Sequence, residues 1–183
     1  MKSLIIFKTN TGFSKRYAEM LSRRVVPSEI KDIRKVHLKD LRDCDHIFFI
    51  GPLRNNVILG LNKFLKFYEH IKDKNIYIIA NGIEPYSEEK KENVIFANGL
   101  DLYHIRLYFV SGGIDISKMS PLKRKMFQVG IKMAAKKENI GEDLIKQRFE
   151  TPIDLINSSN LDRVVEVYHR LNVISPTDGK EDK

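Results

Sequence analysis

The fold is decided by Leu4-Ile5-Ile6-Phe7-Lys8-Thr9-Asn10-Thr11-Gly12-Phe13-Ser14, in which an apolar run breaks into a turn rich in hydroxyl groups. The apolar run is short and mixes branched with aromatic side chains, which predicts a buried strand. A helix from about residue 13 to 24 is predicted by apolar residues that recur at helical spacing, namely Tyr17, Ala18, Leu21 and Val25. Strand, turn and helix in this order indicate an α/β domain.

The same alternation continues to the C-terminus. Further strands are predicted at about 36–38, 44–50, 75–80 and 105–110, and helices at about 59–68, 88–98, 121–137 and 158–172. Near-continuous apolar strands joined through helices predict a doubly wound parallel sheet that is covered on both faces. We expect one domain over residues 1–175, with 118–157 as an elaboration, 158–172 as the closing helix and 176–183 as a frayed tail.

Composition excludes several classes of protein. The 183 residues are 42% hydrophobic and 31% charged, which predicts a packed domain. Cys44 is the only cysteine, so a disulfide framework and a cysteine-based zinc site are excluded, and we expect Cys44 to be a packed core residue. The five histidines show no metal-ligand spacing and are interpreted as strand-edge and surface residues. Without a recognisable signal peptide or apolar bilayer span, the chain is expected to be cytoplasmic.

The net charge of +8 is concentrated in one segment. Residues 118–137 contain seven lysines and arginines and no acidic residue, so the rest of the chain carries about +1. The same segment has an apolar stripe at helical spacing, made of Met119, Leu122, Met126, Val129 and Met133. Two interpretations stay open: the stripe packs on the sheet, or it contacts a partner such as a membrane surface. Nucleic-acid binding is not expected, because no aromatic residues interleave with the basic ones.

The turn at 9–14 also carries the strongest functional signal. Ligands of open parallel sheets lie beyond the carboxyl ends of the strands. Here Thr9, Thr11 and Ser14 offer hydroxyl groups, Gly12 allows close backbone approach, and the next helix directs free N–H groups at the turn. This pattern is typical of a phosphate cradle, with an ordinary capped helix start as the alternative. The spacings of the nucleotide-triphosphate loop and of the dinucleotide loop are both missing from the sequence.

These residues resemble those of a known family. Thr9-Asn10-Thr11-Gly12-Phe13-Ser14 directly after the first strand is similar to the FMN-phosphate loop of flavodoxins, and the segment 43–53 resembles their third strand and second flavin loop. The resemblance runs from about residue 2 to 115 and implies a three-layer, five-stranded sheet of order 2-1-3-4-5. Ser111-Gly112-Gly113-Ile114-Asp115 and the basic helix after it are similar to a subgroup that includes menaquinone-dependent protoporphyrinogen oxidase.

The resemblance implies FMN as cofactor and a site drawn from three loops. The first loop would hold the phosphate and the other two would border the isoalloxazine ring, through Thr9, Asn10, Thr11, Gly12, Phe13 and Ser14, then Pro52, Leu53, Arg54, Asn55 and Asn56, and lastly Asn81, Gly82, Ile83 and Tyr86. For 54–56 the alternative is a solvated polar turn, and for Tyr86 an exposed loop aromatic. No metal and no catalytic side chain is expected, since the cofactor would perform the chemistry.

Three functional hypotheses follow. The first is an FMN-dependent oxidoreductase that acts on a quinone, a porphyrin or another small organic substrate near a membrane. The second is a diffusible flavodoxin-type electron carrier, although carriers of that family are typically acidic and this chain is basic. The third is a flavin-free scaffold that binds partners through the basic helix.

Overall fold

A computed structural model describes residues 1–139, 141–147 and 149–174. The predicted tail at 176–183 lies outside these residues. Five parallel strands form the central sheet in the spatial order second-first-third-fourth-fifth, which confirms the predicted order. They are β1 (Ser3–Phe7), β2 (Ser28–Asp32), β3 (His46–Arg54), β5 (Asn75–Gly82) and β6 (Arg106–Ser111), while the short β4 (Val57–Ile58) pairs antiparallel with the end of β3.

Helices cover both faces of the sheet. On one face α1 (Phe13–Ser22) and α7 (Asp162–Ile174) enclose a core around Phe48 and Tyr77. On the other, α2 (Leu38–Arg42), α3 (Leu61–Leu65) and α4 (Glu88–Asn98) enclose a core around Phe49 and Phe64. Short 3₁₀ turns lie at Ile33–Lys35, Tyr68–His70, Leu100–Leu102, Ile116–Lys118 and Ser158–Leu161. The result is the three-layer flavodoxin-like α/β fold.

The second strand is not where the sequence predicts it. The prediction at 36–38 is wrong, because β2 spans Ser28–Asp32, Val36 lies in the connection that follows and Leu38 begins α2. As an edge strand, β2 is only half-buried and contains one apolar residue, Ile30. Its hydrogen-bonded register with β1 holds it in the sheet, and that pairing leaves no hydrophobic pattern in the sequence.

Several elements have different ends from those predicted. β3 begins at His46 rather than Cys44 and continues through Gly51 and Pro52 to Arg54, and β5 continues to Gly82. The predicted helix at 59–68 is a single short α3 followed by a 3₁₀ turn, and the closing helix begins as a 3₁₀ turn at 158. The extensions of β3 and β5 matter for function, since they carry these strands into the loops of the predicted site.

One histidine is not a surface residue. His46 is fully buried at the start of β3, where its Nδ1 lies 3.1 Å from the Tyr77 hydroxyl and its ring packs edge-on against Tyr168. Burial lowers the pKa of His46 below its usual 6.5. Cys44 is buried as well, and burial raises the pKa of its thiol. Among the described residues no cluster of potential metal ligands occurs, and no helix is long and apolar enough to cross a membrane.

The elaboration contains α5 (Pro121–Glu138), α6 (Glu142–Gln147) and a two-stranded ribbon of β7 (Gly113–Ile114) and β8 (Ile153–Asp154). A small separate core of Ile131, Ala135 and Ile145, with Phe127 and Phe149 packed against it, joins α5 to α6. The predicted stripe is not part of that core. Met119 lies before α5 and is half-buried, whereas Leu122, Met126, Val129 and Met133 are all exposed, which contradicts the interpretation that the stripe packs on the sheet.

Candidate functional site

Three loops meet at the carboxyl-terminal edge of the sheet. They follow β1, β3 and β5, which are adjacent strands, so their ends lie side by side. The first and third loops are tied together by a buried hydrogen bond, in which the Ser14 hydroxyl donates to Asn81 Oδ1 over 2.8 Å. The second and third approach each other where Leu53 packs over Gly82, and a Cβ added to Gly82 would lie 3.6 Å from Leu53 Cβ.

The first loop is shaped by Gly12. This residue has a φ of +97°, a left-handed conformation that favours glycine, and its N–H donates to Thr9 Oγ1 over 2.9 Å. α1 begins immediately afterwards at Phe13, with no side chain bonded to its first N–H groups and no acidic residue in its first turn. A helix start of this kind presents unpaired N–H groups and the positive end of the helix dipole, which favour an anion.

The six predicted residues of this loop have different environments. Phe13 and Ser14 are buried, and the single donor of the Ser14 hydroxyl is already used by Asn81. Thr9 and Thr11 are half-buried, and their hydroxyl protons bond to no acceptor among the described residues. Ser14 therefore links two loops, while the two threonines keep donors available for a ligand.

A lysine that the sequence analysis did not include reaches this loop. Lys123, in the first turn of α5, donates from Nζ to Asn10 Oδ1 over 2.8 Å. Because Lys123 and Asn10 are 113 residues apart, no local sequence pattern indicates this contact. The only hint in the sequence is that α5 is rich in basic residues and follows the strand next to the site. The appended helix thus places a positive charge beside the candidate phosphate cradle.

The second loop is a tight β-hairpin. β3 and β4 pair antiparallel around Asn55 and Asn56, whose φ values of 47° and 63° are those of a two-residue type I′ turn. Asn98 of α4 holds the hairpin: its Nδ2 donates to the Asn56 carbonyl over 2.8 Å and its Oδ1 accepts from the Ile58 N–H over 3.0 Å. The polar turn is therefore fixed in place.

The hairpin and the third loop enclose a cavity of about 90 Å³, lined by Leu53, Asn55, Asn56, Gly82, Ile83, Glu84 and Lys90. A wider hollow of about 340 Å³, within the ~300–1,000 Å³ range of ligand pockets, adjoins it and shares Asn56, Glu84 and Lys90. Glu84 and Lys90 form an ion pair at this wall. Both residues were missed in the sequence, although Lys90 lies one turn into a helix that follows a candidate loop.

Four predicted residues of the second and third loops do not line the cavity, and one of them, Asn81, is buried and bonded to Ser14. Pro52 is a strand residue paired with Asn81, and Arg54 is the exposed end of β3. Tyr86 points toward the outer strand β6, where its ring packs 5.4 Å from that of Phe109 and its hydroxyl donates to Glu88. That hydrogen bond raises the pKa of Tyr86. Tyr86 is half-exposed and does not line either cavity.

The residues present fit the FMN that the sequence resemblance implies. The uncapped start of α1, the open space beside Gly12 and the free hydroxyl groups of Thr9 and Thr11 match a phosphate, for which Lys123 adds a compensating charge. The hairpin and the third loop offer two apolar side chains, Leu53 and Ile83, together with side-chain amides and backbone to a planar ring. No aromatic side chain occurs among the cavity-lining residues.

The chain is similar to several known proteins. Among solved structures, the chain is similar to flavodoxin 2 from Bacillus cereus (14% identity, 61% of this chain and 85% of that chain, TM-score 0.48). It is also similar to a flavoprotein in complex with FMN from Lactobacillus acidophilus (12% identity, 60% of this chain and 91% of that chain, TM-score 0.47). A third similar structure is a WrbA-like flavodoxin from Agrobacterium tumefaciens (15% identity, 66% of this chain and 85% of that chain, TM-score 0.46). No curated protein matches the chain. The family profile described as "Flavodoxin domain" matches residues 4–140, and the chain therefore belongs to the flavodoxin domain family.

Proposed function

We propose that the chain binds FMN across the carboxyl ends of β1, β3 and β5 and functions as a redox protein. The observation that carries this proposal is the first loop, where the left-handed backbone of Gly12 leads into the uncapped start of α1 and the half-buried Thr9 and Thr11 lie beside it. Bound FMN supplies reversible one-electron and two-electron chemistry, and the protein holds and tunes it. Family membership supports the same cofactor.

The phosphate is held mainly by neutral groups. Backbone N–H groups at the start of α1 and the hydroxyls of Thr9 and Thr11 donate to it, as at other helix N-termini that bind anions. Ser14 acts through Asn81, because its hydroxyl is buried and already bonded to that amide. Lys123 contributes charge from the side of α5.

The isoalloxazine ring contacts the hairpin and the third loop. Leu53 provides an apolar contact, and Asn55, Asn56 and the backbone at Gly82 provide polar ones. Lys90 lies in the same wall, and its side chain is only 13% exposed. Glu84 pairs with it there, so the positive charge beside the site comes from Lys123, which favours negative charge on the reduced ring. We expect a two-electron potential less negative than that of an acidic carrier flavodoxin.

We further propose that the protein is an oxidoreductase whose substrate is a small organic molecule. Quinones and porphyrins are the substrate classes to test first. The basic charge beside the site, from Lys123, supports this choice over a diffusible carrier, since carriers of this family are typically acidic. The resemblance of residues 111–115 to the menaquinone-dependent protoporphyrinogen oxidase subgroup supports the same class.

Cofactor binding is tested by titration of purified protein with FMN and with riboflavin, which lacks the phosphate. Quenching of flavin fluorescence and a shifted absorption band are expected with FMN. Thr11→Val removes a hydroxyl donor while keeping the shape, and it is expected to weaken FMN binding about 10-fold without changing riboflavin binding. The matched control is Thr151→Val, at an exposed position outside the site. Absence of any FMN binding would leave only the flavin-free scaffold.

Substrate class is tested with the FMN-loaded protein, which is photoreduced under anaerobic conditions with EDTA as the electron donor. Mixing with a water-soluble menaquinone analogue is expected to reoxidise the flavin, as two electrons and two protons pass to the quinone and form the quinol. Cytochrome c, which accepts one electron at a time, serves as the comparison acceptor. Faster reoxidation by cytochrome c than by the quinone would favour the electron carrier.

A further inference from the structure

The outer face of α5 is an exposed apolar stripe. Leu122, Met126, Val129 and Met133 are 70%, 47%, 51% and 70% exposed. At 3.6 residues per turn they fall within a sector of about 60° around the helix axis. Four large apolar side chains on one unpartnered helix face form a continuous patch, which indicates an interaction site.

The stripe points away from the body of the protein. The opposite side of α5 carries Phe127, Ile131 and Ala135, which pack against α6 and against Phe149, with the Phe127 and Phe149 ring centroids 5.1 Å apart. The helix therefore already has a packed face, and the stripe is a second apolar face. Its exposure is not explained by an unfinished core.

A row of lysines borders the stripe. Lys125, Lys132 and Lys136 lie along one side and are exposed, whereas on the other side the ammonium group of Lys123 bonds to Asn10. The sequence has no acidic residue between 118 and 137 that would neutralise the row. An apolar stripe beside a cationic row is typical of helices that lie in the plane of a membrane interface, where apolar side chains enter and lysine ammonium groups extend to the headgroups.

We propose that α5 docks on the surface of an anionic lipid bilayer. The charge and shape of the helix support this occupant. A second copy of the chain would bring two lysine-bordered stripes together and repel, whereas an anionic bilayer surface attracts the lysine row while the stripe enters the bilayer. The helix is 18 residues, or about 27 Å, long and its stripe is convex, which suits a planar partner. This docking is independent of whether FMN is bound.

Vesicle sedimentation tests the docking with the full chain. Binding is expected to vesicles of phosphatidylcholine with 30% phosphatidylglycerol at low salt, and to weaken on addition of salt or on omission of the anionic lipid. The triple variant Lys125→Glu, Lys132→Glu, Lys136→Glu is expected to bind at least about 100-fold more weakly. The matched control changes the net charge equally at exposed positions elsewhere, through Lys35→Glu, Lys39→Glu and Lys63→Glu. This control is expected to lose far less of its affinity for the vesicles.

Apolar insertion is tested separately from charge. The double variant Leu122→Ser, Val129→Ser is expected to bind about 10-fold more weakly, whereas Phe96→Ser, at a position 88% exposed on α4, is expected to leave binding unchanged. The chain has no tryptophan, so Met126→Trp introduces a single reporter. Its emission is expected to shift to the blue with vesicles and to be quenched by lipids brominated on their acyl chains, unlike Phe96→Trp.

Two results would overturn the proposal. One is no sedimentation of the unaltered chain with anionic vesicles at low salt. The other is equal loss of binding in the two charge-reversed triple variants, which would show a response to net charge alone. Circular dichroism of each variant verifies folding, and because every substituted side chain is exposed, the native spectrum is expected in all of them.

Discussion

Gly113 fixes the position of the candidate phosphate loop through a contact that allows no side chain. A Cβ at this position would lie 2.4 Å from Cε1 and 2.6 Å from Cζ of Phe13, and 2.5 Å from the Ile153 carbonyl oxygen. Phe13 is buried and is the first residue of α1, directly after Gly12. The ribbon of β7 and β8 therefore packs tightly against the residue that starts α1.

Gly113→Ala is expected to destabilise the protein by about 1–3 kcal/mol, since overpacking a buried contact costs that much when backbone and ring must shift. The melting temperature is expected to fall by about 2–4 °C per kcal/mol for a domain of this size. Displacement of Phe13 also moves the N–H groups of α1, so FMN affinity is expected to fall while the sheet stays intact. Denaturant unfolding followed by circular dichroism and FMN titration measure the two effects.

The matched control is Gly130→Ala, in the exposed middle of α5, where a Cβ would meet nothing within 4 Å. There alanine is expected to stabilise the helix by up to about 1 kcal/mol. A double-mutant cycle with Phe13→Leu isolates the ring contact, since a smaller side chain relieves part of the clash. Equal stability and equal FMN affinity of Gly113→Ala and Gly130→Ala would refute the reasoning.

Two other predictions concern charge. Lys123→Ala is expected to weaken FMN binding about 5- to 10-fold at low salt and less at high salt, because a nearby surface cation contributes roughly 1 kcal/mol that salt screens. Lys125→Ala is the control variant and riboflavin, which lacks the phosphate, is the control ligand. Equal losses of affinity for FMN and for riboflavin in Lys123→Ala would contradict a phosphate contact. The lowered pKa of buried His46 means that protonation favours the unfolded chain. The free energy of unfolding is therefore expected to fall as the pH drops below about 6.5, and to fall less steeply in His46→Gln. Denaturant titrations at pH 5–8 measure both dependences.

The sequence allows the sheet to be predicted where strands are buried on both faces. β1 and the first half of β3 are continuous apolar runs, and such runs occur because both faces of a central parallel strand are covered. β2 has no such run, since one of its edges lacks a neighbouring strand and its lysine forms ion pairs with Glu29 and Asp40. Its position depends on pairing with β1, which is a non-local property.

The sequence predicts which loops form the candidate site, but it does not predict the contacts between residues that are distant in the chain. Loops at the ends of neighbouring strands follow from the order of elements, so residues 9–14, 53–56 and 81–83 could be identified from the sequence. Lys123 and the Ser14–Asn81 bond join residues 113 and 67 positions apart, and local patterns carry no such information. Tyr86 was assigned to the ring because it is aromatic, yet its direction depends on Phe109 of β6.

The helix α5 shows why periodicity alone could not decide its role. It has two apolar faces, and each repeats at helical spacing: the stripe of Leu122, Met126, Val129 and Met133, and the packed face of Phe127, Ile131 and Ala135. The choice between them depends on α6 and Phe149, which follow later in the chain. Because the stripe is exposed and bordered by lysines, the positive charge of the segment is left at the surface. The Lys123 ammonium group reaches Asn10 of the candidate phosphate loop, which links α5 to the candidate site.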